Sequence, residues 1–308
     1  MVTQKAGGTA NKSADQLEEF THYRSLLFAI AYRMLGSVMD AEDMVQETFI
    51  RWQNSSDRDI KSVKSYLSTV VTRLCIDRLR SARVQREQYV GTWLPEPVVT
   101  DSSLASSASD PSAAAELADT LTMAVLVLLE HLSPVERAVF LLHEAFGYDY
   151  AEIGRIVDKS AVNCRQIGRR ARQHLAARRP RYQASHQHQE QLTRQFLQAC
   201  NYGDVPGLLD LLAKDISLWS DGGGKVAACL TPLHGEVKVA RFLQAIYRRN
   251  QRLGRTYKAE LVWVNGEPGI LYKWDGHIET VVALTIADRR IQELYFVRNP
   301  DKLQRISK

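Results

Sequence analysis

The chain has 308 residues, 45% of them hydrophobic and 24% charged, which is the composition of an ordinary soluble globular protein. This composition excludes a fibre and a wholly disordered chain. No apolar run approaches the ~20 residues of a membrane-spanning helix, and the first twenty residues hold no hydrophobic signal segment, so we expect a cytoplasmic protein. The four cysteines lie far apart without ligand spacing, so we expect no disulfide, no metal site and no cofactor.

Charge is distributed unevenly along the chain, whose net charge is +5. Residues 91–120 contain five acidic residues and no lysine or arginine, whereas the segments on either side are basic. Basic surfaces attract polyanions such as nucleic acids. The pattern therefore predicts contact with a polyanion at two places, separated by a segment of different character.

The front of the chain shows helical periodicity. Residues 1–16 are rich in small and polar residues and are expected to be disordered. Over residues 17–90, apolar residues recur at three- and four-residue steps, which predicts a bundle of helices. Gly36 is predicted to end one helix, and Asp40 to cap the next, Ala41–Trp52.

The middle of the chain alternates between a linker and further helices. Residues 91–115 hold three prolines and many serines without an apolar period, which predicts an acidic linker. Helical pattern returns over residues 116–182. Within it, Ser133 followed by Pro134 and Glu136 is a typical helix start.

The last part of the chain, residues 188–308, predicts an α+β domain. One or two helices come first, Leu192–Cys200 and Val205–Ala213, followed by mixed structure. Segments rich in β-branched and aromatic residues then alternate with turn signals such as Asn265-Gly266 and Asp275-Gly276, which predicts an antiparallel meander. The predicted strands are Glu260–Asn265, Gly269–Trp274, Ile278–Ile286 and Arg290–Val297.

An acidic cluster lies at the start of the predicted Ala41–Trp52 helix. Asp43, Gln46 and Glu47 stand at helical spacing and share one exposed face. Two interpretations stay open: a solvated helix start that complements the helix dipole, or a docking face for a basic partner. The candidate docking residues are Asp40, Glu42, Asp43, Gln46 and Glu47.

A basic helix follows in SYLSTVVTRLCIDRLR and the residues after it. Arginines supply charge for phosphates and aromatic rings supply stacking surfaces for bases, so this combination suits single-stranded nucleic acid. The alternative is a solvated basic helix. The candidate residues are Tyr66, Arg73, Arg78, Arg80 and Arg83.

The sequence AEIGRIVDKSAVNCRQIGRRARQHL predicts a helix-turn-helix. From Lys159 to Gln189 there are eight lysines and arginines and no acidic residue. In such a motif the second helix enters the DNA major groove, where arginines reach guanine edges or phosphates; an ordinary helical hairpin is the alternative. The candidate residues are Ser160, Asn163, Arg165, Gln166, Arg169 and Arg170.

The order of these parts resembles the bacterial sigma factors. DAEDMVQETFIRW resembles the part of sigma region 2 that docks on core RNA polymerase, and SYLSTVVTRLCIDRLR is similar to the helix that reads the −10 element. LSPVERAVFLLHEAFGYDYAEIGRIVDKSAVNCRQIGRRAR resembles region 4, which reads the −35 element. The absence of a third domain between them is typical of extracytoplasmic-function sigma factors. Many relatives have Asn where this chain has Arg73, so no −10 sequence is inferred.

Three further strings lie at residues 93–97 (WLPEP), 221–225 (DGGGK) and 299–303 (NPDKL). They resemble the sigma-J-like branch, whose C-terminal SnoaL-like domain has the α+β cone fold of nuclear transport factor 2. The resemblance implies that this domain regulates the sigma factor in cis, and that a small ligand of unknown identity is among the expected partners. It also implies that the acidic linker threads toward the basic RNA exit channel; a plain tether is the alternative. The strings are Trp93, Leu94, Pro95, Glu96 and Pro97; Asp221, Gly222, Gly223, Gly224 and Lys225; and Asn299, Pro300, Asp301, Lys302 and Leu303.

The leading hypothesis is a non-enzymatic transcription initiation factor that binds core polymerase and promoter DNA. One alternative is a ketosteroid-isomerase-like enzyme, in which Asp221 acts as a general base beside Lys225. Another is a ligand-responsive repressor that uses only the helix-turn-helix. Under the leading hypothesis we expect Lys225 to pair with Glu96 or Asp221, and the tail from Asn299 to Leu303 to reach outward from the domain.

Overall fold

A computed structural model of the chain describes residues 6–55, 60–86, 89–100, 122–176 and 185–306. The chain divides into two compact units. Unit 1 comprises Met1–Gln85 and Leu129–Ala177, and unit 2 comprises Arg86–Leu128 and Arg178–Lys308. Unit 2 therefore includes the first part of the predicted linker as well as the predicted C-terminal domain.

The first half of unit 1 is a bundle of three helices: α1 (Ala6–Leu35), α2 (Val38–Gln53) and α3 (Val63–Arg86). Helix α1 begins well inside the stretch that was expected to be disordered, because extending an existing helix costs far less than starting one. The predicted cap of α2 was wrong. Ser37 is the N-cap, and its Oγ accepts a hydrogen bond from the Asp40 backbone N–H at 3.2 Å.

The second half of unit 1 contains α5 (Pro134–Glu144), α6 (Tyr150–Val157) and α7 (Ala161–Ala176), preceded by α4 (Met123–Leu129) at the boundary with unit 2. The predicted helix start at Ser133 is confirmed as a capping box. The Ser133 Oγ accepts from the Glu136 backbone, and the Glu136 carboxylate accepts from the Ser133 backbone N–H at 3.1 Å.

Unit 2 is built on a sheet with the strand order β1-β4-β5-β6-β7-β2-β3. Neighbouring strands are antiparallel, except that β2 runs parallel to β7. The predicted meander corresponds to β4–β7, and Asn265-Gly266 and Asp275-Gly276 form its first two turns with positive φ. The strands are β1 (Val99–Thr100), β2 (Leu212–Asp221), β3 (Leu233–His234), β4 (Lys258–Val264), β5 (Glu267–Trp274), β6 (His277–Ala287) and β7 (Arg290–Val297).

Both faces of the sheet are covered. One face packs against α8 (His186–Tyr202), α9 (Val205–Leu211) and α10 (Glu236–Arg252) around a core that includes Phe196 and Leu294. The other face packs against Leu94, Met123, Ala124 and Leu303, the last of which ends α11 (Pro300–Leu303). The predicted fold class, helical domains followed by an α+β domain, is confirmed. Within the described ranges, no helix has the length and apolar character needed to cross a membrane.

Candidate functional sites

Helices α6 and α7 form the predicted helix-turn-helix. Asp158 adopts a left-handed conformation, with φ of 55°, which ends α6 and turns the chain. The Ser160 Oγ accepts a hydrogen bond from the Asn163 backbone N–H at 3.2 Å and so caps α7. Gly168 lets the helices approach closely, because a Cβ there would lie 2.9 Å from the Tyr150 hydroxyl.

One face of α7 is exposed along its length. Cys164, Ile167 and Ala171 are buried on the side that packs into unit 1. Five of the six predicted DNA-contacting residues lie on the exposed side of α7, so their side chains are available to an external partner, and the sixth, Ser160, caps the helix. The five exposed residues are Asn163, Arg165, Gln166, Arg169 and Arg170.

The acidic residues of α2 divide into two groups. Asp43 and Gln46 are exposed, and Glu47 makes only a local ion pair with Arg51 at 2.9 Å. Asp40 instead accepts a hydrogen bond from the Arg78 guanidinium of α3 at 2.7 Å. The two predicted sites thus share one ion pair, which leaves Asp40 less available to an external partner than Asp43.

The basic residues of α3 are engaged inside unit 1. Arg73 donates to the backbone carbonyls of Ile156 at 2.8 Å and Arg155 at 3.0 Å, both on α6. Arg80 pairs with Asp77, and the Tyr66 ring packs 5.7 Å from the Trp52 ring. The side chain of Arg83 lies outside the described residues. In this conformation α3 is therefore joined to the helix-turn-helix.

A buried arginine also joins the two halves of unit 1. Arg137 of α5 is 3% exposed; it donates to the Met34 carbonyl of α1 at 2.7 Å and pairs with Glu130 at 2.8 Å. Desolvation by burial lowers the pKa of Arg137 to about 9. Its Nε is buried without a hydrogen-bond partner in the described structure, so this cation is only partly satisfied.

In unit 2, one buried carboxylate accepts hydrogen bonds from all three of the predicted regulatory strings. Asp221, at the end of β2, is 0% exposed. Its Oδ1 accepts from the Tyr89 hydroxyl at 2.5 Å and from the Gly223 backbone N–H at 3.0 Å. Its Oδ2 accepts from the Leu94 backbone N–H at 2.9 Å and from the Lys302 ammonium at 2.6 Å. We call Tyr89, Leu94, Asp221, Asn299 and Lys302 the Asp221 clasp.

The other members of the clasp reinforce one another. Lys302 also donates to the Leu94 carbonyl, and its ammonium lies 4.2 Å from the centre of the Trp93 ring. Asn299 donates to the Tyr89 hydroxyl at 3.0 Å. Burial and the hydrogen bond to Asp221 raise the pKa of Tyr89, so this hydroxyl stays a donor at neutral pH.

Beyond the clasp, the linker continues along the sheet. Pro95, Glu96 and Pro97 are buried, and Val98 exchanges hydrogen bonds with Asn265 before Val99 pairs with Val264 of β4. Residues 93–100 are thus part of unit 2 and are not a free tether. The part of the linker from 101 to 115 lies outside the described residues.

Several predicted contacts of these strings were wrong. Lys225 pairs with Asp301 at 2.7 Å instead of Glu96 or Asp221, because Lys302 and Leu94 occupy the carboxylate. The tail turns inward, since Leu303 is 3% exposed and belongs to the core. Asp221 as a general base is disfavoured, because both of its oxygens already accept two hydrogen bonds out of contact with solvent.

Sequence reasoning missed two members of this region. Tyr89 was given no role, and Asn265 was treated only as a turn residue. The position of a tyrosine just before the Trp93 string was the available signal for the first. Nothing local marked Asn265, because its partner Val98 is 167 residues away in the chain.

Comparison with known proteins accounts for this arrangement. Residues 20–84 match sigma-70 region 2, and residues 122–175 match sigma-70 region 4. The chain is 36% identical over 296 residues to the ECF RNA polymerase sigma factor SigJ of Mycobacterium tuberculosis, with 93% of each chain covered. It is 32% identical over 285 residues to the probable ECF RNA polymerase sigma factor SigI of that organism, covering 91% of this chain and 92% of SigI.

The similarity extends to three dimensions. The crystal structure of the M. tuberculosis extracytoplasmic function sigma factor SigJ matches with a TM-score of 0.74 at 33% identity, covering 94% of this chain and 98% of that one. Both sigma domains and the C-terminal unit therefore have counterparts in a single relative. The chain belongs to the extracytoplasmic-function RNA polymerase sigma factors.

Proposed function

We propose that this sigma factor directs promoter-specific initiation by core RNA polymerase and is regulated in cis through the Asp221 clasp. The observation that carries this proposal is that the chain between regions 2 and 4 is bound by the C-terminal unit at residues 89–100. A tethered contact acts at an effective concentration of roughly mM, so the C-terminal unit controls this segment without a separate partner. Unit 2 has a regulatory and not a catalytic role in this proposal.

The clasp is tested by transcription in vitro with core polymerase and the full chain. Asp221→Asn is expected to alter the yield of promoter-dependent transcript, because it weakens the hold on the linker. Asp210→Asn is the matched control, since Asp210 is exposed on α9 of the same unit. Equal yields from Asp221→Asn, the control and the unmodified chain would remove the basis for regulation through this contact.

Region 4 is proposed to read the −35 element through the exposed face of α7. Arg165→Ala is expected to cost ~1–3 kcal/mol in promoter affinity and to relax specificity at one position if the guanidinium contacts a base. Arg172→Ala serves as the control, because Arg172 lies on α7 but pairs with Glu144 at 3.2 Å. Competition binding against promoter variants measures both quantities, and unchanged affinity with unchanged specificity would refute this placement.

Core polymerase is proposed to bind the Asp43, Gln46 and Glu47 face of α2. Reversing Asp43 and Glu47 to Lys is expected to weaken core binding while the helical circular dichroism stays unchanged, because exposed charges contribute little to stability. Reversal of Asp210 and Asp215, two exposed acids of unit 2, provides a control with the same change of charge. Unchanged core affinity at moderate salt would contradict this docking face.

Region 2 is proposed to read the −10 element through α3, which requires a change from the described conformation. Arg73 is bound to two carbonyls of α6, so it must leave them before it meets DNA. Arg73→Gln is therefore expected to loosen the contact between α3 and α6, measured as faster hydrogen exchange in α6. Arg80→Gln, which removes an exposed local pair, is expected to leave that exchange unchanged.

A further inference from the structure

Helix α10 presents a row of arginines on the outside of unit 2. Its inner face is apolar, with Val239, Ala240 and Leu243 buried against the sheet. At 100° per residue, positions 241, 248 and 252 fall within a narrow arc on the opposite side of the helix. Arg241, Arg248 and Arg252 are all exposed, and we call them the α10 arginine row.

The row lines a shallow groove without acidic residues. The groove has a volume of about 580 Å³ and is lined by Arg241, Gln244, Ala245, Arg248, Arg249, Arg252 and Leu253. Within the ranges that the structure describes, no side-chain hydrogen bond or ion pair is made by the row or by the neighbouring Arg249. The side chains of Arg194, Arg290 and Arg298 in the same unit, by contrast, all have acceptors. The three arginines of the row and Arg249 repel one another, so an external anion would stabilise this face of the helix.

The chemistry of the row favours phosphodiesters. A guanidinium presents planar, paired donors that match phosphate oxygens bidentately, and every cation in the groove is an arginine. The rise of the helix separates positions 241 and 252 by about 16 Å, so the row addresses several successive phosphates of a duplex and not one small anion. Gln244 adds a neutral donor on the same side.

We infer that the α10 arginine row binds the sugar-phosphate backbone of double-stranded DNA without sequence specificity. This contact is additional to the promoter contacts proposed for α3 and α7, and it gives the C-terminal unit a direct interaction with DNA. Unit 2 is covalently tethered to two DNA-binding domains, so DNA is the polyanion that it meets at high local concentration.

The test compares two full-length variants with the same loss of charge. One carries Arg241→Gln, Arg248→Gln and Arg252→Gln. The other carries Lys214→Gln, Lys258→Gln and Arg289→Gln, three exposed cations elsewhere on unit 2. Fluorescence anisotropy with a labelled random-sequence duplex measures affinity over a range of salt concentrations, so that sequence-specific recognition by α7 does not contribute.

The α10 variant is expected to bind the duplex more weakly, with a log–log salt slope shallower by about 2–3, because each lost phosphate contact removes about 0.9. The control variant is expected to retain the slope of the unmodified chain. Equal salt slopes in the two variants would overturn the inference. Tighter binding of the unmodified chain to a single-stranded RNA of the same length than to the duplex, lost in the α10 variant, would also overturn it. Core-dependent transcription by the α10 variant on a consensus promoter reports separately on the proposed function.

Discussion

Units 1 and 2 each join distant chain segments through a buried charge, and the two charges are satisfied to different degrees. Asp221 accepts four hydrogen bonds, one of them from a cation. Arg137 reaches one carbonyl and one carboxylate, and its Nε has no partner in the described structure. An incompletely satisfied buried charge stabilises a contact less than a complete network does. We therefore expect the Arg137 contact to open more easily than the clasp.

The largest effect is expected from Asp221→Asn. The amide keeps the shape of the side chain, but it removes the charge that compensates Lys302 and turns a donor toward Leu94 N–H or the ammonium. Loss of one partner of a buried pair typically costs about 3–5 kcal/mol. Hydrogen exchange over residues 89–98 measures this opening free energy directly, independently of unit 1.

Asp210→Asn is the control for the hydrogen-exchange measurement. It is expected to change the opening free energy of residues 89–98 by no more than about 0.5 kcal/mol. A loss below about 1 kcal/mol in Asp221→Asn would mean that apolar packing of Leu94, and not the carboxylate, holds the linker.

Gly223→Ala tests the clasp sterically. Gly223 has φ of 63°, and a Cβ there would lie 2.5 Å from the Asn299 side chain, which bonds Tyr89. Gly254 has φ of 60° but no atom within 4 Å of its added Cβ. Both alanine substitutions lower the free energy of unfolding by about 1–2 kcal/mol, because alanine is strained in the left-handed conformation. A further loss of about 1–3 kcal/mol in Gly223→Ala alone would measure the clash of the new Cβ with Asn299. Equal losses of unfolding free energy in Gly223→Ala and Gly254→Ala, measured by thermal or chemical unfolding, would show that Asn299 moves aside at no cost.

Arg137→Met probes the less satisfied charge. Methionine fills similar space, and Glu130 is 20% exposed, so its carboxylate can be hydrated once the arginine is gone. We expect a loss of about 1–2 kcal/mol in the opening of α5, mostly from the unpaired Met34 carbonyl. Arg172→Met, at a 48% exposed side chain, is the control. If Arg137→Met lost as much opening free energy as Asp221→Asn, the buried charges of the two units would not differ in how strongly they hold their contacts.

Glu267 is a half-buried acidic residue, and within the described part of the chain no ion pair joins it to a cation. Burial raises the pKa of Glu267 from 4.5 to about 7, against an opposing hydrogen bond from Gln189. The folded state therefore binds a proton that the unfolded chain releases above its ordinary pKa. The stability from this proton is fully present below pH 4.5 and is lost as pH rises through about 7.

Glu267→Gln is accordingly expected to stabilise unit 2 by about 1–2 kcal/mol at pH 8 and to have little effect at pH 5. Thermal unfolding at the two pH values makes the comparison, with Asp215→Asn, an exposed acid, as the control. The same change at both pH values would show that Glu267 does not titrate between them.

Local signals in the sequence were sufficient for much of this fold. The capping box at Ser133, the turn at Asp158 and the Asn-Gly and Asp-Gly turns of the meander each depend on neighbouring residues. The prediction failed where two local signals competed, as at Ser37 and Asp40, both of which are good N-caps. It also missed β2, because exposed Lys214 and Asp215 and a register shift interrupt the alternation of buried residues.

The clasp shows why the site was harder to predict than the fold. The three strings were identified by resemblance, but the partner of Lys225 was assigned wrongly. Asp221 lies 132 residues from Tyr89 and 81 from Lys302, so tertiary structure alone decides which lysine reaches the carboxylate. Lys225 is nearer in sequence, yet its loop directs it to Asp301.

The short strand β1 has a consequence for self-association. Two linker residues, Val99 and Thr100, pair with Val264 and Trp263 and cover part of the outer edge of the seven-stranded sheet. An uncovered strand edge is a template for pairing with another chain. If the linker dissociates from unit 2, the edge of β4 therefore becomes exposed as well. The linker segment that pairs with β4 thus also protects unit 2 against edge-to-edge association.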